Sequence, residues 1–167
     1  MHKTTTQRHA PKLMLYTVEE RARRDASPWT MVQGILAPAQ FLAFAVSLVL
    51  VVRFLLTGDG YGAATASILV KTAFLYLIMI TGAIWEKEVF GQYLFAPAFF
   101  WEDVFSFAVI ALHTLYLYGL LTGAIAPHGL MLIALAAYAT YVINAGQFIL
   151  KLRRARLDAG QDLAVTA

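Results

Sequence analysis

The stretch FFWEDVFSFAVIALHTLYLYGLL, from Phe99 to Leu121, decides the fold class. It is apolar over the roughly 20 residues that an α-helix needs to cross a lipid bilayer. The same stretch contains three side chains that can carry a charge near neutral pH, Glu102, Asp103 and His113. Such groups are costly in hydrocarbon unless they are paired, protonated or in use. The stretch therefore predicts a membrane-spanning helix that carries functional side chains.

The composition of the whole chain agrees with a membrane protein. Hydrophobic residues make up 60% of the 167 residues and charged residues only 14%, whereas soluble domains carry about a quarter charged residues. The chain has no cysteine, which excludes a disulfide framework and a thiolate metal site or nucleophile.

Four apolar segments predict an all-α, polytopic membrane protein with a four-helix bundle. A basic tail, 1–28, precedes the membrane domain, 29–156, and a C-terminal tail, 157–167, follows it. Thr17 and Glu20 have capping-box spacing, which predicts a short interfacial helix in the first tail. Residues 1 to about 15 are expected to be disordered. The predicted spans are about 33–56, 63–85, 99–121 and 129–150.

The basic residues predict the orientation of the bundle. Lysines and arginines occur in both terminal segments and, as Lys87, in the middle connection, but not in the first and third connections. The positive-inside rule then places both termini and the middle connection in the cytoplasm. The basic clusters are interpreted as topology determinants and contacts to anionic lipid, and no nucleic-acid partner is expected.

Polar residues remain inside the predicted spans, and helical phase groups them. Glu102 and His113 return to nearly the same face after three turns, and Tyr141, Asn144 and Lys151 form a stripe on the last helix. Two such stripes predict an interior pocket open to the cytoplasm. The wider set comprises Lys71, His113 and Tyr138 at depth, with Glu86, Glu88, Glu102, Asp103, Asn144 and Gln147 nearer the cytoplasmic surface.

Each of these residues also has a structural interpretation. Asn144 and Gln147 would serve as interhelical hydrogen-bond donors and acceptors, and His113 as a core histidine bonded to a backbone carbonyl. Glu102 and Asp103 would suit the start of a cytoplasmic helix, where acids complement the helix dipole. A haem held by two histidines needs a second intramembrane histidine, which the spans lack. A metal site made only of protein ligands is not expected, although His113 could ligate a metal that arrives inside a ligand.

Five segments give the chain a resemblance to a known family over about Tyr16 to Arg156. The chain resembles the 3-vinyl bacteriochlorophyllide hydratases of the bacteriochlorophyll pathway. The segments that carry the resemblance are RRDASPWTMVQGILAPAQF (23–41), SILVKT (67–72), IWEKEVFGQYLFAPAFFWEDVFS (84–106), ALHT (111–114) and AAYATYVINAGQFILKLRRAR (136–156).

The resemblance implies a hydro-lyase that adds water to the 3-vinyl group of chlorophyllide a or bacteriochlorophyllide and forms a 1-hydroxyethyl group. No cofactor of its own is implied, since the Mg belongs to the substrate macrocycle. The implied location is a bacterial cytoplasmic or intracytoplasmic membrane, with the lipid bilayer and the pigment as partners. A homo-oligomer, or contact with neighbouring pathway enzymes, stays open.

The resemblance and the polar residues together suggest roles for individual side chains. Glu102 and Asp103 are the expected acid/base pair, because a carboxyl group in apolar surroundings can keep its proton and act as a general acid. The other expected contributors are Asn144 and Tyr141 for positioning water, Lys71 for the propionate, His113 for Mg, and Trp101 and Glu86 at the substrate, with Glu86 and Glu88 as reserve acids.

One geometric conflict affects these roles. Glu102 and His113 are about 16 Å apart along a helix axis, and the vinyl group lies much closer than that to Mg. His113 is therefore the first of the two roles that we would abandon.

Two other functions compete with the hydratase. A non-enzymatic pigment-binding or photosystem-assembly protein would share the aromatic pocket but would not need buried carboxylates. A small proton-coupled exporter usually carries an acid deep in a span, and the first span, 33–56, contains none.

Overall fold

The computed structural model describes the backbone of residues 15–165 and the side chains of residues 15–156. Five helices make up this part of the chain, and it contains no strand. The predicted disorder of residues 1–14 lies outside the described residues. The helices are α1 (Val18–Ala26), α2 (Pro28–Thr57), α3 (Tyr61–Phe90), α4 (Phe100–Thr122) and α5 (Pro127–Val165).

Helices α2 to α5 form a four-helix bundle. The helices α2 and α3 pack against each other as one hairpin and α4 and α5 as a second, because the connections at Gly58–Gly60 and Gly123–Ala126 are short. Contacts between α2 and α5, and between α3 and α4, join the hairpins into a ring. All four helices are long and apolar enough to cross a membrane, which confirms the predicted fold class.

One end of the bundle is named here the basic end: α2 and α4 begin there, α3 ends there, and Lys151 of α5 lies there. Its cytoplasmic location stays a prediction. Helix α1 is docked at this end by a hydrogen bond from the Arg23 Nε to the Val89 carbonyl at 2.8 Å.

The start of α1 confirms the predicted capping box. The Thr17 hydroxyl accepts the Glu20 N–H at 3.2 Å, and the Glu20 carboxylate accepts the Thr17 N–H at 2.7 Å. Ser27 then caps α2, and Pro28 occupies its first turn, where a missing N–H costs nothing.

Two helix ends differ from the predicted boundaries. Helix α3 continues past 85 to Phe90, so Glu86 and Glu88 lie on a helix and not in a loop. The continuation is stabilised because tertiary contacts satisfy both acids, and Gly91 ends the helix in the left-handed conformation with φ 85°. Helix α5 runs to Val165, through most of the segment predicted as a C-terminal tail.

The bundle core is aromatic near the middle of the helices. The Phe44 ring of α2 packs against Tyr138 and Tyr141 of α5, with centroid distances of 5.4 and 5.0 Å. Large apolar side chains on the opposite faces are exposed, among them Leu42, Val49, Ile80 and Leu121. This inside-out distribution fits a bundle surrounded by lipid.

The close approach of α4 and α5 depends on Gly119. A Cβ atom at this position would lie 2.6 Å from the Ile125 Cδ1 and 3.0 Å from the Leu130 Cδ2. We expect Gly119→Val to destabilise the protein by about 1–3 kcal/mol through overpacking. Gly34→Val is the control, because a Cβ atom there has no neighbour within 4 Å. Unfolding by denaturing detergent measures both; equal losses would contradict the packing described.

Candidate active site

Three carboxyl groups and one ammonium group meet inside the basic end. Glu86 of α3 and Glu102 and Asp103 of α4 are only 5%, 4% and 4% exposed. Lys151 of α5 reaches the same cluster. Buried charges of this kind persist only where they are paired and hydrogen-bonded.

Glu102 and Asp103 face different helices, because successive residues on an α-helix point about 100° apart. The Glu102 Oε2 accepts a hydrogen bond from the Lys151 Nζ at 2.5 Å, which makes a salt bridge between α4 and α5. The same ammonium donates to the Ala98 carbonyl. Glu102 is therefore the salt-bridge partner of Lys151.

Asp103 instead faces the connection between α3 and α4, and its carboxyl group is a neighbour of that of Glu86, because the two acids accept the N–H groups of consecutive residues. Two carboxyl groups in contact are stable when they share one proton, because two like charges repel. Backbone donors from the connection between α3 and α4 complete the pair. The Phe95 N–H donates to the Asp103 Oδ2 at 2.6 Å, and the Ala96 N–H to the Glu86 Oε2 at 3.2 Å. We name Glu86 and Asp103 the carboxyl pair.

An apolar groove of about 300 Å³ lies between α3 and α4 beside the carboxyl pair. Ala83 precedes Glu86, and Phe107 follows Asp103, by about one helical turn each. Ile80 and Phe107 are 62% and 42% exposed, so the groove opens to the outer, lipid-facing surface of the bundle. Its lining residues are Tyr76, Met79, Ile80, Ala83, Leu94, Phe107 and Ile110.

The connection between α3 and α4 covers one end of the groove. The Phe95 ring stacks on the Phe107 ring, at a centroid distance of 5.5 Å and an interplanar angle of 9°. Phe95 has a φ of 60°, which side-chain-bearing residues rarely adopt. The hydrogen bond to Asp103 holds this conformation, so Phe95 is coupled to the carboxyl pair.

Asn144 and Tyr141, predicted to position water, lie in the bundle interior. The Asn144 Nδ2 donates to the Ser106 Oγ at 2.8 Å, one turn from the two acids of α4. The Tyr141 ring packs below the Lys71 ammonium, with 4.2 Å from the Nζ to the ring centroid. Asn144 is thus near the cluster and Tyr141 is one turn farther away.

Lys71 and His113 are placed deeper, in a layer that the groove does not reach. Lys71 is fully buried and faces α5, not the groove. His113 is 1% exposed, and its Nδ1 lies 2.8 Å from the Val109 carbonyl, as the structural interpretation of this residue predicts. Pairing of Lys71 with a propionate and ligation of Mg by His113 stay predictions.

The remaining candidates lie at the surface of the basic end. Trp101 is 64% exposed and packs edge-on against Phe100 on the lipid-facing side. Glu88 points away from the carboxyl pair and accepts a hydrogen bond from the Ser27 hydroxyl at 2.5 Å. Within the described residues, no three His, Cys, Asp or Glu side chains are placed to hold a metal ion.

The sequence did not predict two of the contacts at this site, those of Lys151 and Phe95. Lys151 was placed on the polar stripe of α5, but its pairing with Glu102 was not predicted. The role of Phe95 could not be recognised from its side chain, because it depends on a backbone N–H and a positive φ.

Comparison with known proteins identifies the family. The family described as 2-vinyl bacteriochlorophyllide hydratase (BCHF) matches residues 16–154. The chain belongs to this family. A relative of that name from Rhodobacter capsulatus is 75% identical over 153 residues, covering 91% of the chain and 88% of the relative. Another from Cereibacter sphaeroides is 75% identical over 150 residues, covering 89% and 92%. No solved structure matches the chain.

The match confirms the resemblance found in the sequence, including its extent. The matched residues include the groove and the Asn144–Ser106 hydrogen bond. They also include Glu86, Glu102, Asp103 and Lys151, which we name the carboxyl cluster. The family therefore bears on the whole candidate site and not on one segment of it.

The salt bridge of Glu102 and Lys151 gives a prediction about stability. Lys151→Met leaves a buried carboxylate without its partner, and we expect a loss of about 1–3 kcal/mol in the free energy of unfolding. The double variant Lys151→Met/Glu102→Gln should recover most of that loss, because the uncompensated charge is gone. A double-mutant cycle by detergent unfolding measures the coupling. Additive losses would show that the two side chains do not interact.

Proposed function

We propose that the chain is a hydratase of bacteriochlorophyll biosynthesis, a hydro-lyase that adds water to the vinyl group of a bacteriochlorophyllide or chlorophyllide. The names of the two relatives and the family support this activity. The relatives' names number the vinyl group 2 and the resemblance above numbers it 3; we treat both as the same substituent. The carboxyl pair at the end of a lipid-facing groove is the observation that carries the proposal.

The reaction needs a proton donor and a site that tolerates a cation. A proton is added to the terminal vinyl carbon, and the adjacent carbon becomes a cation delocalised into the macrocycle. Water attacks that carbon and loses one proton to a base, so the net change is the gain of one water. A pair of carboxyl groups that shares one proton can supply the first proton and accept the last.

We assign these tasks to different acids. The carboxyl pair lies about one helical turn from Ala83 and Phe107 of the groove, and we assign the transferable proton to it. Glu102 forms a salt bridge with Lys151, so its charge is neutralised, and we assign it the role of holding α5 beside the site. Asn144 is one turn away and is the group that would orient the attacking water.

The groove suits a flat, apolar macrocycle that reaches the protein from the bilayer. Its described lining is apolar, and the stacked rings of Phe95 and Phe107 provide an aromatic surface at the end near the acids. Trp101 and Phe100 extend this surface outward along α4. The chemistry supplied by Mg would belong to the substrate, and no residue of this site is assigned to it.

The setting of this reaction is a membrane of a bacterium that makes bacteriochlorophyll. The four spans make the chain a multi-pass membrane protein. The predicted orientation places the carboxyl pair on the cytoplasmic side of the membrane. We include this location in the proposal.

Removing either acid of the carboxyl pair should abolish most turnover. We expect Glu86→Gln and Asp103→Asn each to lower kcat by roughly 10²- to 10⁴-fold, the usual contribution of general acid–base catalysis. Glu88→Gln, on the same helix but bonded to Ser27, should leave kcat unchanged.

The assay uses membranes from a host that makes no chlorophyll, supplied with a 3-vinyl chlorophyllide and analysed by mass spectrometry for the gain of one water. Unchanged pigment that co-purifies with folded wild-type protein would contradict the hydratase and favour a pigment-binding or assembly role.

Filling the groove should weaken substrate binding without altering the acids. We expect Ala83→Phe to raise KM about tenfold or more, which corresponds to about 1.4 kcal/mol of lost binding. Ala63→Phe, an exposed position near the start of the same helix, is the control. Equal KM values for the two variants would show that the macrocycle does not use this groove.

A further inference from the structure

The bundle interior contains a row of buried polar side chains that the proposed acids do not use. Lys71 is fully buried, and His113, Gln40 and Asn144 are 1%, 3% and 8% exposed. Each has a polar atom without a hydrogen-bond partner among the described residues, and so has Gln147. Buried polar atoms are rarely left unsatisfied, and ordered water is the usual partner where protein supplies none.

The two deepest groups, His113 and Lys71, differ in whether they accept or donate hydrogen bonds. A backbone carbonyl only accepts, so the His113 Nδ1 must donate to Val109, which leaves the Nε2 of a neutral ring as an acceptor. The Lys71 amino group donates hydrogen bonds in both its charged and its neutral form. Both groups lie near the Tyr138 ring. The Lys71 Nζ is 5.9 Å from the centroid of this ring, and the His113 ring centroid is 6.0 Å from it.

The ligand that fits this pair must accept from Lys71 and donate to His113. A chloride or carboxylate would satisfy the ammonium but would leave the Nε2 unpaired, because neither has a proton to give. A water molecule does both. The faces of Tyr138 and Tyr141 attract the ammonium but provide no lone pair in its place.

The row continues from this pair toward the basic end in steps of about one helical turn, roughly 5.4 Å. Phe44 of α2 contacts both tyrosines of α5. Gln40 lies one turn before Phe44 on α2. Asn144 lies about one turn after Tyr141 on α5. Gln147 follows, one turn before Lys151 and its partner Glu102. One or two waters can bridge each step.

We propose that Lys71 and His113 bind an internal water, and that a row of waters continues past Gln40, Asn144 and Gln147 to the carboxyl cluster and supplies the water that the reaction consumes. The binding site stands by itself, whereas the supply role rests on the proposed function. A bilayer provides little water to a lipid-facing site, so an internal source explains why polar side chains cross the interior of this bundle.

The test is a solid-state NMR measurement on resting protein in lipid, without pigment. The histidine rings are labelled with ¹⁵N, and polarisation is transferred from water to the ring nitrogens. The signal of His113 is identified by its loss in His113→Phe. We expect a neutral ring, protonated at the Nδ1, whose Nε2 receives polarisation from water at a rate typical of a hydrated site.

Variants of Lys71 provide the matched comparison. Lys71→Met should lower the transfer to His113 by more than half, whereas Lys71→Gln keeps a donor and should retain it. Ser67→Ala, one turn away on α3, is the control, since its hydroxyl is bonded to Ser47 and to the Ala64 carbonyl. A dry His113 ring in folded wild-type protein would overturn the site. A doubly protonated ring would assign it to an anion instead, and transfer unaffected by Lys71→Met would remove Lys71 from it.

Turnover separates the two parts of the proposal. Lys71→Met should lower kcat about tenfold with KM unchanged, because water occupancy falls while the groove is intact. A raised KM would overturn the supply role and favour pairing of Lys71 with the substrate propionate. Loss of the NMR transfer with kcat unchanged would overturn the supply role. A hydrated His113 in a wild-type protein without hydratase activity would contradict the proposed function and leave the water site standing.

Discussion

Carboxyl groups inside a lipid-facing bundle must be solvated by the protein itself, and the basic end is built around this constraint. Glu86 and Asp103 accept backbone N–H groups from Ala96 and Phe95, and Lys151 neutralises Glu102 while donating to the Ala98 carbonyl. The connection between α3 and α4 therefore acts as the solvation shell of the acids. Its unusual backbone at Phe95, with φ 60°, follows from placing an N–H against Asp103.

A difference of one residue gives two neighbouring acids different chemistry. Glu102 faces α5 and forms a salt bridge with Lys151. Asp103 lies beside the carboxyl group of Glu86, because the consecutive N–H groups of Phe95 and Ala96 bind the two acids, and we propose that this pair shares one proton. The separation depends on the ring of helices, because α3 and α5 flank α4 on opposite sides. A hydratase needs a proton donor and a base, and in the proposed function the carboxyl pair provides both while the salt bridge of Glu102 holds α5 beside it.

Hydropathy alone predicted four spans, and the capping residues predicted α1, because these features depend on local sequence. The end of α3 was not predictable in this way. Glu86 to Glu88 carry charges that are typical of a loop, and the helix continues through them because distant residues satisfy Glu86 and Glu88.

The candidate site was predictable in part for the same reason. Glu102 and Asp103 stood out because buried carboxylates are costly, but their partners could not be inferred from spacing. Glu86 and Lys151 belong to other helices, and only the packing of α3 and α5 on α4 brings them into contact. The groove has no sequence signal, since two ordinary apolar helix faces form it by packing side by side.

The central claim is that Glu86 and Asp103 share one proton in the resting protein. Infrared spectroscopy in lipid tests it directly, because a protonated carboxyl group has a carbonyl stretch that shifts in heavy water. We predict one such band in the wild-type protein, absent in both Glu86→Gln and Asp103→Asn and retained in Glu88→Gln. A wild-type spectrum without a protonated carboxyl band, or a band that survives both substitutions, would contradict the account.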